Sequence, residues 1–101
     1  MKRPYFLVFH PKATKELLEA VDWYNERQPD LGDTFFEFVL VAIKRIIQNP
    51  FLYAPKSKTY REALVEKFPY IVIYRIKPKK NEVEIMAVFH TSRNPTKKYK
   101  V

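Results

Sequence analysis

One histidine, two arginines, a tyrosine and several lysines give this chain its chemistry, and most of them follow a single strand-like run. Val83 to His90 leads straight into Thr91-Ser92-Arg93-Asn94-Pro95 and a tail ending Lys97-Lys98-Tyr99-Lys100-Val101. Side chains of these types can bind phosphate, move protons, or do neither. Binding phosphate calls for a fixed cation, and moving protons for an acid or base held within reach of the reacting atom. The parts at hand are Lys67, Arg75, His90, Arg93 and Tyr99. His90 could serve as acid or base, because an imidazole titrates near neutrality. Arg93 could clamp phosphate, and Tyr99 could stack on a base or donate a proton.

Plainer roles exist for each. His90 can cap a strand end by hydrogen bonding. Arg93 can pair with an acid of the first helix, Tyr99 can lie on the sheet, and Arg75 can be the cross-strand partner of Glu84. Lys97, Lys98 and Lys100 can form a solvated tail. His10 and His90 lack a third ligand at suitable spacing, so no metal and no other cofactor is expected.

Charge adds a second constraint. Seven Lys/Arg oppose seven Asp/Glu up to Asn49, whereas from Pro50 onward twelve face four, which carries the whole net charge of +8. A balanced half joined to an electropositive half favours a polyanion or an acidic protein as partner. The chain has no cysteine, which excludes disulfides and thiolate chemistry. With 47% hydrophobic and 16% aromatic residues it should fold, as a single domain over residues 1–101. No signal peptide or membrane span is read, so a cytoplasmic location is expected.

The elements that must position these side chains follow from periodicity. Tyr5 to Phe9 is an apolar run, expected to be a strand buried on both faces and central in the sheet. Pro11 opens a helix in which Ala13, Leu17, Val21 and Tyr24 share a face while Glu16, Glu19, Asp22 and Glu26 point elsewhere. It should stop near Gln28-Pro29. Asp30 is placed to cap a second helix, with Asp33 in its first turn, and that helix should run from about Leu31 to Gln48. Phe51 to Arg61 reads as a loop, Glu62 to Phe68 and Tyr70 to Lys77 as strands, and Val83 to His90 as the last strand. Alternation there puts Val83, Ile85, Ala87 and Phe89 on one face and Glu84, Met86, Val88 and His90 on the other. The expected fold is α+β with the order β-α-α-β-β-β, a helical hairpin packed on one face of a mainly antiparallel four-stranded sheet. The first strand most simply pairs with the last.

This order resembles the RelE/ParE superfamily of toxins from type II toxin–antitoxin pairs. The resemblance is carried by Ala20-Val21-Asp22-Trp23-Tyr24 with Pro29-Asp30-Leu31-Gly32, by Phe35 to Asn49 with Pro50, by Phe68-Pro69-Tyr70 with Tyr74-Arg75-Ile76, and by Val88 to Pro95. It implies a small basic toxin neutralised by a cognate acidic antitoxin encoded by an adjacent gene. Two activities occur among such proteins. ParE-like members inhibit DNA gyrase by binding. RelE-like members are ribosome-dependent, metal-independent mRNA endonucleases, for which His90, Arg93, Tyr99 and Lys67 would be the catalytic set here. Ile71 stands where many members carry a sheet-surface arginine, and the basic run of the preceding strand is reduced to Lys67, which favours the ParE-like reading. Arg75, Arg93, Lys97, Lys98 and Tyr99 are then the expected target-binding residues. A non-toxic basic nucleic-acid-binding domain is the remaining alternative.

Overall fold

The computed structural model describes residues 5–94 and 98–99. Within them the chain forms β1 (Phe6–Phe9), α1 (Pro11–Arg27), α2 (Leu31–Gln48), β2 (Pro55–Ser57), β3 (Tyr60–Leu64), β4 (Tyr70–Lys77), a 3-10 turn (Pro78–Lys80) and β5 (Glu82–His90). The strands lie side by side in the order β1-β5-β4-β3-β2. All neighbours are antiparallel except β1, which runs parallel to β5.

Pro11 sits in the first turn of α1, where its missing N–H costs nothing. His10 caps that turn, its Nδ1 accepting from Lys12 N–H at 3.1 Å. Ala13, Leu17 and Ala20 form the buried stripe of α1, and Phe35, Val39, Ala42, Ile43 and Ile46 that of α2. The two helices meet through a very close approach at Gly32. A Cβ there would lie 2.1 Å from Val21 O. Asp30, expected to cap α2 with its side chain, instead adopts φ 68° and makes no side-chain cap bond. Asn25 of α1 supplies the acceptor, with Gly32 N–H donating to its Oδ1 at 2.7 Å. The helical hairpin is therefore capped across its own turn.

The sheet departs from expectation in three respects. It has five strands, because Pro55–Ser57 pairs with β3 inside the expected loop. A proline is tolerated there because β2 is an edge strand and the missing donor breaks no ladder. Strand β1 is the opposite edge rather than a central strand, and Phe6 and Leu7 stay 68% and 42% exposed. Its apolar run reflects one buried flank and not two. Finally, β5 carries a bulge: Ile73 pairs with Ala87 and Tyr74 with Ile85, leaving Met86 as an extra residue. Val83, Ile85 and Val88 consequently pack on the helix side, while Met86, Ala87 and Phe89 pack on the back. The simple alternation expected for β5 fails beyond Met86.

The main core lies between the hairpin and the sheet. Tyr24, Phe35, Phe68 and Tyr70 form an aromatic cluster there, with ring centroids about 5 to 6 Å apart. Tyr74 is wholly buried, and its hydroxyl donates to Pro50 O at 2.7 Å, tying the exit of α2 to the sheet. Burial pushes that phenol up to about 12.

Candidate functional site

The residues singled out in the sequence divide between the two faces and the two ends of the sheet. His90 closes β5 on the helix side. Its ring meets Tyr70 edge-on, centroids 4.9 Å apart, and its Nδ1 accepts from Ser92 N–H at 3.0 Å. With Glu16, Trp23, Tyr24, Tyr70 and Arg93 it lines an open cleft of about 350 Å³ between α1 and the end of the sheet. Arg93 reaches into the same cleft and pairs with Glu16 at 3.0 Å.

Glu16 is the residue sequence reasoning missed. Expected to point away from the core, it lies between Ala13 and Ala20 on their helical stripe and faces the sheet. Strand β1 covers β5 only from Glu82 to Ile85, and the chain then leaves through His10 into α1. Beyond that point the edge of β5 is open, and Glu16 Oε1 accepts from Val88 N–H at 3.0 Å in place of a strand. Its other oxygen holds Arg93. An acid inside an alanine stripe was the available signal.

Lys98 and Tyr99 lie on the back of the sheet. Tyr99 stacks on Tyr60 with ring centroids 5.3 Å apart and joins the small apolar cluster of Ile71, Ile73, Met86, Ala87 and Phe89. Its hydroxyl donates to Glu62, whose carboxylate also pairs with Lys98 at 2.8 Å. Burial and the adjacent Glu62 carboxylate push the Tyr99 phenol up to about 12, so at neutral pH it is a hydrogen-bond donor and a poor acid. Lys97 lies outside the described residues.

Lys67 stands apart from both groups, whereas Arg75 lies opposite Tyr60, the ring on which Tyr99 stacks. Strand β3 ends at Leu64, so Lys67 is in the turn before β4, with φ 67° and its ammonium 5.5 Å from the Phe38 ring. Arg75 pairs across strands with Glu84 at 2.8 Å, and Lys77 reaches the same carboxylate at 3.2 Å. Burial opposes the charge on Glu84, but hydrogen bonds from Arg75 and Lys77 outweigh it and hold its carboxyl below the usual range. Arg75 lies five residues along β4 from Tyr70, the partner of His90, a separation of roughly 17 Å at strand rise.

The structure thus brings His90 and Arg93 together at one end of the sheet, where Arg93 also borders a back-face groove with Glu62, Phe89 and Lys98, and it places Tyr99 farther along that face, on Tyr60. His90 and Tyr99 lie on opposite faces of the sheet, and one scissile phosphate cannot touch both from a single side. On the back face Ile71, Ile73 and Phe89 are buried, with Tyr60 and Tyr99 packed against them, and the Glu62 carboxylate is bonded to Lys98 and Tyr99.

A hairpin of two helices on a mainly antiparallel sheet, with an arginine-bearing tail after its last strand, defines a toxin of the RelE/ParE superfamily. The fold matches solved structures from both branches. A chromosomal ParDE toxin–antitoxin system from P. aeruginosa aligns with TM-score 0.75 at 18% identity, covering 87% of this chain and 97% of that one. The isolated E. coli RelE toxin aligns with TM-score 0.66 at 21% identity, covering 95% and 94%. Sequence decides the branch. Residues 7–95 match the family described as the ParE toxin of the type II toxin–antitoxin system parDE. Toxin ParE2 of Mycobacterium tuberculosis is 36% identical over 87 residues, covering 85% of this chain and 81% of that protein. The chain belongs to the ParE toxin family of type II toxin–antitoxin systems. Among the described residues no helix is long and apolar enough to cross a membrane.

Proposed function

We propose that this toxin acts in the cytoplasm by binding DNA gyrase, without catalysis, and that a cognate acidic antitoxin neutralises it. The observation carrying this reading is the separation of His90 from Tyr99 by the thickness of the sheet, in a chain whose sequence falls in the ParE family. Arg93, Lys98 and Tyr99, with Lys97 of the tail, are the proposed target contacts. Arg75, expected among them, pairs with Glu84 as Arg93 pairs with Glu16 and Lys98 with Glu62, and it stays a candidate contact on the Tyr99 face.

Antitoxin binding is supported by apolar side chains left uncovered on the hairpin. Leu18 and Trp23 of α1 and Leu40 and Val41 of α2 are each more than two-fifths exposed. A solved relative in fold, RelBE2 from Mycobacterium tuberculosis, is itself a toxin–antitoxin complex.

The test is a plasmid supercoiling assay with purified toxin, gyrase and ATP, read for lost supercoiling and trapped linear DNA. Inhibition that disappears on adding the antitoxin is the expected result. No inhibition at excess toxin, together with mRNA cleavage on programmed ribosomes that His90→Ala abolishes, would replace this reading with an endonuclease.

A further inference from the structure

The lopsided charge of the sequence resolves into two populations once the fold is known. At the His90 end and on the back face, cations are matched with acids: Arg93 with Glu16, Lys98 with Glu62, Arg45 with Glu66. Arg75 and Lys77 share Glu84. Arg61 donates to Tyr53 O, and Lys67 lies over Phe38. Of the described cations after Pro50, this leaves Lys56, Lys58, Lys79 and Lys80, which have no partner among the described residues.

Lys58, Lys79 and Lys80 occupy the turns at one end of the sheet, and Lys56 lies at the base of the first turn in β2, where it also lines a groove with Glu62 and Glu66. Tyr60 pairs with Arg75, so the β2–β3 tip (residues 56–59) and the β4–β5 tip (residues 78–81) project the same way. The tips are centred two strand spacings apart, roughly 10 Å. Both are held firmly. Lys58 and Asn81 take left-handed backbone conformations at the turns, and Phe6 N–H donates to Asn81 O at 2.8 Å, anchoring the second tip to β1.

We propose that this end of the sheet is a docking surface for the phosphate backbone of duplex DNA, independent of sequence. Duplex DNA presents one charge per roughly 1.7 Å of axis, so two lysine pairs about 10 Å apart each meet several phosphates. The chemistry of the tips selects this partner over others. Neither tip loop contains an aromatic side chain, and Tyr60 at the base of the first is already stacked on Tyr99, so no open stacking platform for single-stranded RNA is offered. Lysines dominate where a protein interface would bring aromatic or aliphatic anchors. The surface lies at the opposite end of the sheet from His90 and Arg93, which leaves Arg93 free for gyrase, while Tyr99 borders it through Tyr60. It is independent of the gyrase reading, because DNA binding is measured with no gyrase present.

The test is fluorescence anisotropy of a labelled random-sequence 20-base-pair duplex with the intact toxin, across 50 to 200 mM salt. Four neutralised phosphates correspond to a fall in affinity of roughly 150-fold over that range. The quadruple variant Lys56→Gln, Lys58→Gln, Lys79→Gln, Lys80→Gln should lose that share of the salt dependence and most of the low-salt affinity. A Lys15→Gln control on the exposed face of α1 should change little, and circular dichroism confirms that both variants fold. An unchanged slope in the quadruple variant overturns the proposal. So does tighter binding of single-stranded RNA, or of poly-glutamate at matched salt, than of the duplex.

Discussion

Replacing Glu16 tests the link between the helical hairpin and the arginine-bearing end of the sheet. Its side chain is 14% exposed and makes two bonds, one to the amide of Val88 and one to Arg93, which is 43% exposed. A charged acceptor on a buried N–H contributes about 1.5–3 kcal/mol, and its removal leaves that donor unsatisfied. The half-exposed pair with Arg93 adds at most about 1 kcal/mol, since solvent screens it. Glu16→Ala should therefore destabilise by roughly 2–4 kcal/mol, lowering Tm by about 8 °C or more. Glu16→Gln keeps an oxygen for Val88 N–H but leaves Arg93 without an anion, so it should cost about 1 kcal/mol. Urea melts give both values, and amide hydrogen exchange at Val88 reports the bond directly. Faster exchange is expected in the alanine variant and near-native exchange in the glutamine variant. Equal destabilisation by the two substitutions, or unchanged Val88 exchange in Glu16→Ala, would refute the idea that a helix side chain completes the edge of β5.

Other perturbations have equally definite outcomes. Gly32→Ala would normally gain about 1 kcal/mol inside a helix, but its Cβ would meet Val21 O at 2.1 Å. We expect a net loss of about 1–3 kcal/mol from overpacking, and a raised Tm would contradict the close approach. Tyr74→Phe leaves Pro50 O without its donor and should cost about 1–3 kcal/mol in urea melts; a loss below about 0.5 would mean the bond is dispensable. The folded-state pKa of Glu84 is depressed, so its contribution is full above the unfolded value and fades as pH falls through the folded one. Glu84→Gln should lower stability at pH 7 and flatten the loss of stability below about pH 4.5, the ordinary carboxyl value. Parallel acid limbs for wild type and variant would sink that assignment. His90→Ala should weaken growth inhibition by far less than the roughly 10²–10⁴-fold loss that follows removal of a general acid or base.

The helices were legible because their signals are local. Pro11, Gln28-Pro29 and Asn49-Pro50 punctuate the chain, and the apolar spacing between them repeats every three to four residues, so α2 is observed at its expected bounds. Strand β4 was equally plain. What escaped depends on neighbours distant in sequence. Apolar residues in β1 look the same for an edge strand and a central one, because pairing order is not encoded in five residues. The β2 pairing rests on β3 curling back to meet a segment that starts with proline. Among candidate residues, His90 and Arg93 were recognised and do meet. Glu16, which bonds Arg93 and lines the same cleft as His90, lies more than seventy residues earlier and looks, by type, like any surface acid. Tyr99 was recognised too, but the face it occupies is set by the course of the tail.

The surplus residue at Met86 has a consequence for how this chain is compared with others. A bulge acts as a frame shift in space, leaving the order of letters unchanged while exchanging the side of the sheet on which each later letter appears. Were β5 ironed flat at its present length, Val88 and His90 would pass through to the Tyr99 side, and Ala87 and Phe89 would turn toward α1. Two toxins with the same ending can thus present it to opposite partners, according to whether one residue upstream is paired or left out. Letters aligned beyond this point are equivalent only when both strands make the same count.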